Sequence, residues 1–447
     1  MNEKLLGALF LTVLLVPGPR ERALAADNLK DLLKVVTDSS APVGDRETAL
    51  ANAQGIAGAN KPKAGPLKDA LPTLLKDLEA KKFDPHYDRL IGLAFTAMEP
   101  FTPFPDLEPI VRPYLDVKTP TKHRMCALRA IQKHGAAGVG RELMAMLDEP
   151  SQRKDPEREA FEDQLLLAAM ALPGKEAVRV LECIVKKSNQ RAVVMASIRA
   201  FGELVVRKPV AELDETFATK VLVEQASVTN PDAEIACEAA LALVPWGSWA
   251  GMAEVAKRAH ADKKGGTRLT YATMCQAAHK PGGFNDVPPG ADKFGTVPAA
   301  KRKEAFAAAN AWWESVKATK PDETIFQALK DAGINVPSDT SPSSKAAISA
   351  LIDGLAVPTR TLRYACLDLL VKRTANIDMA RDFKMCVTDV AKNVKVTQEE
   401  PPEGYPEGSA HATKLYELQK ERAKAWHDWW DKSAGHAVLV DGVWKVS

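Results

Sequence analysis

Reactive side chains are sparsely grouped in this 447-residue sequence. Its eight histidines are scattered, and the closest pair, His427 and His436, has a spacing unsuited to one helical face. No H-E-x-x-H, G-x-S-x-G or Walker A run occurs, so the common metalloprotease, serine-hydrolase and nucleotide signatures are missing. The glycines of Gly135-Ala-Ala-Gly138-Val-Gly140 have a dinucleotide-like spacing. They join two helical patterns instead of leaving a strand, and read as an interhelical turn. Ser151-Gln-Arg-Lys154 has the Ser-x-x-Lys spacing of penicillin-recognising enzymes, but it sits in a charged loop with no companion Lys-Thr-Gly. Glu399, Glu400, Glu403 and Glu407 could offer oxygen ligands to Ca²⁺, although a solvated acidic loop accounts for them. The expectation is a protein without metal or cofactor, and not an enzyme.

Cysteine chemistry is equally thin. Cys126, Cys183, Cys237, Cys275, Cys366 and Cys386 form no C-x-x-C, which removes zinc-ribbon, thioredoxin-type and c-type haem readings. Most lie among alanines and leucines on predicted helices, where a buried thiol serves as a small apolar residue. If any bridge forms, consecutive helices make Cys366 with Cys386 the pair to expect.

Aromatic residues offer the other route to function, through stacking instead of reaction. Two tryptophan pairs stand out, Trp312-Trp313 and Trp429-Trp430. On a helix Phe306, Ala309, Trp313 and Val316 share a face, and Trp426, Trp429 and Trp430 cluster in the same way. A buried tryptophan removes roughly 200 Å² from water and carries an N–H that needs a partner. Such helices suit the end of a helical stack, so both segments are expected to be structural closures. The competing use is an aromatic platform for a peptide or glycan. Candidates for binding are Trp246 and Trp249, together with Phe284 and Phe294 in a Gly/Pro-rich loop.

The elements that position these residues are predominantly helical. From Asp27 to about His260, apolar residues recur at helical spacing in runs of roughly 12 to 17, with prolines marking starts and glycines marking ends. Asp84-Pro85, Asp155-Pro156 and Asn230-Pro231-Asp232 each read as a capped helix start. Helices ending in Gly135, Gly174, Gly202 and Gly247 repeat a motif of small beside large aliphatic residues, at intervals of 39, 28 and 45 residues. That irregular period fits two-helix units that bury their apolar faces only by stacking. Residues 263–337 change character: a long Gly/Pro loop, His279 to Pro298, leads into the first tryptophan helix. Residues 338–447 hold a second, smaller helical block and the second tryptophan segment. Asp441-Gly442 between short apolar runs predicts a C-terminal β-hairpin.

Charge and the N-terminus bound the setting. Net charge is +2, from 60 basic and 58 acidic residues, which gives no field of one sign to attract nucleic acid. The local basic stretch Lys257, Arg258, Lys263, Lys264 and Arg268 does not alter that balance. Residues 1–26 have the layout of a secretory signal peptide: Lys4, an apolar run from Leu5 to Val16, and the small-residue site Ala23-Leu24-Ala25-Ala26. The run is too short to span a bilayer, and no later stretch reaches the ~20 apolar residues of a membrane span. The mature chain is therefore expected to be exported, periplasmic or extracellular.

The helical pattern resembles HEAT-type repeats, whose second helix often carries an Arg followed by Ala and Leu. Arg124, Ala127 and Leu128 match that signature, and Arg363, Ala365 and Leu367 approximate it. The segments Trp312-Trp313-Glu314 and Trp429-Trp430-Asp431 are similar to closing motifs of exported bacterial HEAT-repeat proteins. The resemblance covers most of residues 40 to 262 and 343 to 395. It implies an all-α, HEAT-like α-solenoid of stacked helical hairpins, with a second smaller helical block and a short C-terminal β-hairpin. It also implies a curved scaffold for an unknown protein partner, with oligomeric state left open. A glycan- or cell-wall-binding module and an enzyme of unrecognised type remain the alternatives.

Overall fold

The computed structural model describes residues 29–59, 64–101, 104, 106–148, 156–208, 212–262, 299–393, 410–440 and 442–446. The leader expected over 1–26, the Ser151–Lys154 run, the loop with Phe284 and Phe294, Cys275, and the acidic loop from Glu399 to Gly408 lie outside these residues. So do Lys263, Lys264 and Arg268 of the basic stretch.

Regular structure among the described residues is helical apart from one two-stranded hairpin. The residues fall into two compact units. Residues up to 148, with 163–172, form the first; residues 156–162, and those from 173 onward, form the second. The first contains α1 (29–37), α2 (Val43–Ala59), α3 (Gly65–Glu79), α4 (Asp88–Met98), α5 (Leu107–Val111), α6 (Thr121–His134) and α7 (Gly140–Ala145). α8 (Pro156–Ala171) gives its first turns to the second unit and the rest to the first.

The second unit continues with α9 (Gly174–Lys187), α10 (Arg191–Arg207), α11 (Glu215–Ala226), α12 (Ala233–Leu243) and α13 (Ala250–Ala261). After the undescribed loop come α14 (Ala299–Val316), α15 (Pro321–Asp331), α16 (Lys345–Gly354), α17 (Arg360–Thr374), α18 (Ile377–Asn393) and α19 (Ala410–Ser433). Strands β1 (Val438–Val440) and β2 (Val443–Lys445) close the chain. Val440 pairs with Val443 and Val438 with Lys445, the register a two-residue connection gives, and Gly442 has φ +77°; Asp441 lies outside the described residues.

Within each unit the helices alternate between two layers. In the first, α2, α4 and α6 pack on one another, while α3 packs on α4 and α5. In the second, α10 packs on α12, and α9, α11 and α13 pack in series beside them. Helices such as α10, α11 and α12 bury one apolar stripe against a sequence neighbour and a second against a helix of their own layer. α9 shows this clearly, burying Ala177, Val178, Val180, Leu181, Cys183, Ile184 and Val185.

Polar side chains follow the same geometry. Arg46 bonds Asp77, Gln54 the Leu93 carbonyl, and Tyr114 the Leu75 carbonyl. Gln164 bonds Gln132, Arg179 bonds Asp214, Arg199 bonds Glu238, and Trp246 the Phe201 carbonyl. These pairs are 31 to 45 residues apart, which is the reach of one helical hairpin to the next. The C-terminal block is different: Arg363 bonds Gln419 56 residues away, and Trp444 bonds the Pro342 carbonyl 102 residues away. That block is closed on itself around a core of Leu351, Leu370, Phe383, Trp426, Trp430 and Trp444.

Several local expectations need correction. Gly174 does not end α8; it starts α9, where a Cβ would lie 2.5 Å from the Glu212 carbonyl oxygen. Gly202 lies inside α10, and a Cβ there would approach the Ala242 Cα to 3.2 Å. Its role is close approach of α10 to α12, so a packing glycine was mistaken for a terminus. Asn230 is not the cap of α12. Asp232 caps it, accepting from the Glu234 and Ile235 amides at 3.0 and 3.1 Å, while Asn230 accepts from the Asp232 amide.

Candidate interaction surface

The tryptophans are core residues. Trp312 and Trp313 are 8% and 7% exposed and meet Trp249 edge-on, at ring-centroid distances of 5.9 and 6.1 Å. Trp249 is 8% exposed, and Trp246, 5% exposed, donates its Nε1–H to the Phe201 carbonyl at 3.0 Å. Neither can serve as the solvent-facing platform for which it was a candidate. The reason is position: Trp246 sits in the turn after α12 and reaches back to α10, and Trp249 caps α13, where α14 lies across it. Phe306 is half-buried and lies edge-on to His260 at 5.2 Å, while His260 bonds Asn310 at 2.8 Å. α14 is thereby fixed against α13 by aromatic edges and one polar contact.

In the second segment, Trp426 and Trp430 are buried and Trp429 is partly covered. Trp429 contacts both neighbours at 5.6 Å, and Trp430 meets Trp444 of β2 at 6.2 Å. Trp444 donates to the Pro342 carbonyl at 3.0 Å, and Lys345 reaches the Ala434 carbonyl. The hairpin thus serves as a lid strand over α19 and α17.

Buried arginines hold the interhelical turns. Arg46 bonds the Val36 carbonyl at 3.0 Å and Asp77 at 2.8 Å. Arg363 bonds the Val357 and Pro358 carbonyls together with Gln419. Arg373 bonds the Thr340 and Ser341 carbonyls, and burial pushes its guanidinium below its ordinary value. The half-buried Arg258 bonds the Ser227, Val228 and Asn230 carbonyls. Arg124 is buried and bonds Thr121. A guanidinium has five donors in a fixed fork, which suits a turn that leaves two or three carbonyls unpaired. No spacing in the sequence announces this recurring role: Arg124 and Arg363 stand out only through the Arg-Ala-Leu pattern, and Arg258 only as part of a basic stretch.

The remaining reactive groups are placed for structure. Cys183, Cys237, Cys366 and Cys386 are buried as thiols outside any disulfide, so Cys366 and Cys386 do not bridge. Burial pushes the Cys237 thiol up to about 12 and raises those of Cys126 and Cys366, which keeps them protonated and poor nucleophiles at neutral pH. His427 lies 3.0 Å from Asp353, and His436 is exposed at the end of α19. Among the described residues no three His, Cys, Asp or Glu side chains converge. The seam where α10 and α12 meet α15 and α17 is apolar except for Asp322, Asp368 and Lys372, with Asp322 and Lys372 3.3 Å apart. Its free volume of about 30 Å³ leaves room for about one water molecule.

A wider depression lies in the first unit, on the layer formed by α4, α6 and α8. It measures about 320 Å³ and is lined by Glu99, Arg129, Gln132, Lys133 and Gln164. Elsewhere along this layer, charges on neighbouring helices are matched, Arg89 with Glu47 and Lys122 with Asp88, which also lies 2.9 Å from the His123 imidazole.

No protein-family model matches the chain, and no curated protein is similar to it. Among the described residues, no helix is long and apolar enough to cross a membrane.

Proposed function

We propose that the chain is an exported, non-enzymatic HEAT-like α-solenoid scaffold that binds another protein along its helical surface. The observation that carries this reading is the band of hairpin-to-hairpin contacts, 31 to 45 residues apart, repeated within each unit. Such arrays devote their buried groups to neighbouring repeats and leave continuous rows of exposed side chains for recognition. The buried Arg124 and Arg363, each followed by buried Ala and Leu on the same helix, support the HEAT assignment. Burial of Trp246, Trp249, Trp312 and Trp313 weighs against an aromatic glycan platform.

Two measurements test the reading. Photo-crosslinkers at Thr96 and Gln132, on the α4–α6–α8 layer, should give a discrete protein adduct in the native envelope fraction. Crosslinkers at Lys186 and Lys220, on α9 and α11 of the second unit, should give much less. Absence of any adduct at all four positions would sink the scaffold. Mass spectrometry of the mature chain tests export, with processing after Ala26 expected and an intact Met1 terminus counting against it.

A further inference from the structure

We propose that the groove across α4, α6 and α8 is a docking site for an acidic peptide segment of a partner protein. The proposal rests on the scaffold reading and supplies its recognition chemistry. Arg129 and Lys133 stand four residues apart on α6, so both project from one face into the groove. Like charges at this spacing repel one another. Among the described residues neither has a hydrogen-bond or ion-pair partner, although Arg89 and Lys122 on the same layer do. A favourable helix dipole accounts for Lys133 in the last turn, but not for Arg129 more than a turn earlier. Two unmatched cations in a concavity are instead matched by a ligand carboxylate, which a guanidinium can grip with two parallel bonds.

The other lining groups favour a peptide over a simple anion. The Gln164 amide donates to the Gln132 carbonyl oxygen at 2.8 Å. Whichever way that pair is oriented, the NH2 group of one amide and the carbonyl oxygen of the other keep capacity for a ligand, the complement a peptide backbone requires. Leu167 stands one turn beyond Gln164 on the same face of α8 and is 46% exposed, while Leu165 and Leu166 beside it are buried. It extends the face that carries Gln164 with an exposed apolar side chain. Glu99 bounds the groove at the end of α4 and directs an incoming carboxylate toward Arg129 and Lys133.

The test is fluorescence anisotropy with the full chain and a short labelled peptide alternating Asp or Glu with Leu, against Ser-substituted and Lys-substituted versions. The acidic peptide should bind, weaken with added salt, and lose about tenfold or more in affinity in R129E/K133E. The control K220E/K330E, which makes the same charge change at exposed sites in the second unit, should bind unchanged. Q132A/Q164A should lose a few-fold, and L167S should lower affinity without changing the salt dependence. The proposal is overturned if acidic and Ser peptides bind alike, if R129E/K133E binds as the parent does, or if single-stranded nucleic acid displaces the peptide with higher affinity. Should the crosslinkers at Thr96 and Gln132 still capture a partner in the R129E/K133E chain, the scaffold stands and the acidic-peptide site falls. Circular dichroism of each variant confirms that the fold is retained.

Discussion

Ala375 follows α17 with φ +53°, in the left-handed region that costs an L-residue roughly 1–2 kcal/mol. It is exposed, so nothing in its packing offsets that cost. Ala375→Gly should therefore stabilise the second unit by about 0.5–1 kcal/mol, after allowing for the greater freedom of glycine in the unfolded chain. Urea midpoints at unchanged slope would measure it. A helix stop at an alanine is invisible to a reader looking for glycine, and this turn was not foreseen. Titration at single residues makes a second prediction. His123 and His134 are both held below the ordinary imidazole value, in each case chiefly by burial, with Asp88 opposing the shift at His123. Below about pH 6.5 the unfolded chain binds protons at these sites more readily than the folded chain does. Stability of the first unit should thus be full above that pH and fall as the pH drops through it. His134→Phe, beside Phe104, should flatten the dependence.

At the scale of the element, Arg363 shows how one side chain sets a turn. It is 3% exposed and satisfies the Val357 and Pro358 carbonyls and the Gln419 amide oxygen, joining α16, α17 and α19. Arg363→Ala leaves these acceptors buried without donors, and should cost about 2–4 kcal/mol. Arg363→Lys should recover little, because a point charge cannot reproduce the fork. Equilibrium unfolding of both variants distinguishes this from loss of charge alone. Helix existence was legible here from the spacing of Leu362, Leu367, Leu369 and Leu370, and the Arg-Ala-Leu pattern identified the residue. Its partners were not legible, since Gln419 is 56 residues away. The glycines failed for a related reason. A terminal glycine and a packing glycine look alike until the facing helix is known, and Gly202 against Ala242 is of the second kind. The groove was hidden in the same way: Arg129, Lys133 and Gln164 sit on two helices whose juxtaposition no spacing announces.

At the scale of the whole molecule, all eight tryptophans occur from Trp246 onward, and every one belongs to the second unit. The first unit, with Phe95 edge-on to Tyr114 at 5.1 Å in its core, contains none. Tryptophan emission therefore reports the second unit alone, whereas far-ultraviolet circular dichroism reports helices in both. If the units unfold independently, the two probes should give non-coincident urea curves, with an additional dichroism transition silent in fluorescence. Lowering the pH from 7.5 to 5.5 should move the silent transition, through His123 and His134, and leave the fluorescence midpoint nearly fixed. Trp430→Ala should do the reverse, destabilising the fluorescent transition by about 3–5 kcal/mol through the cavity it leaves beside Trp426 and Trp444. Coincident curves that respond together to both changes would show one cooperative body instead. In that case coupling between the units, and not the hairpin-by-hairpin contacts inside each, would govern how the chain holds its binding surface.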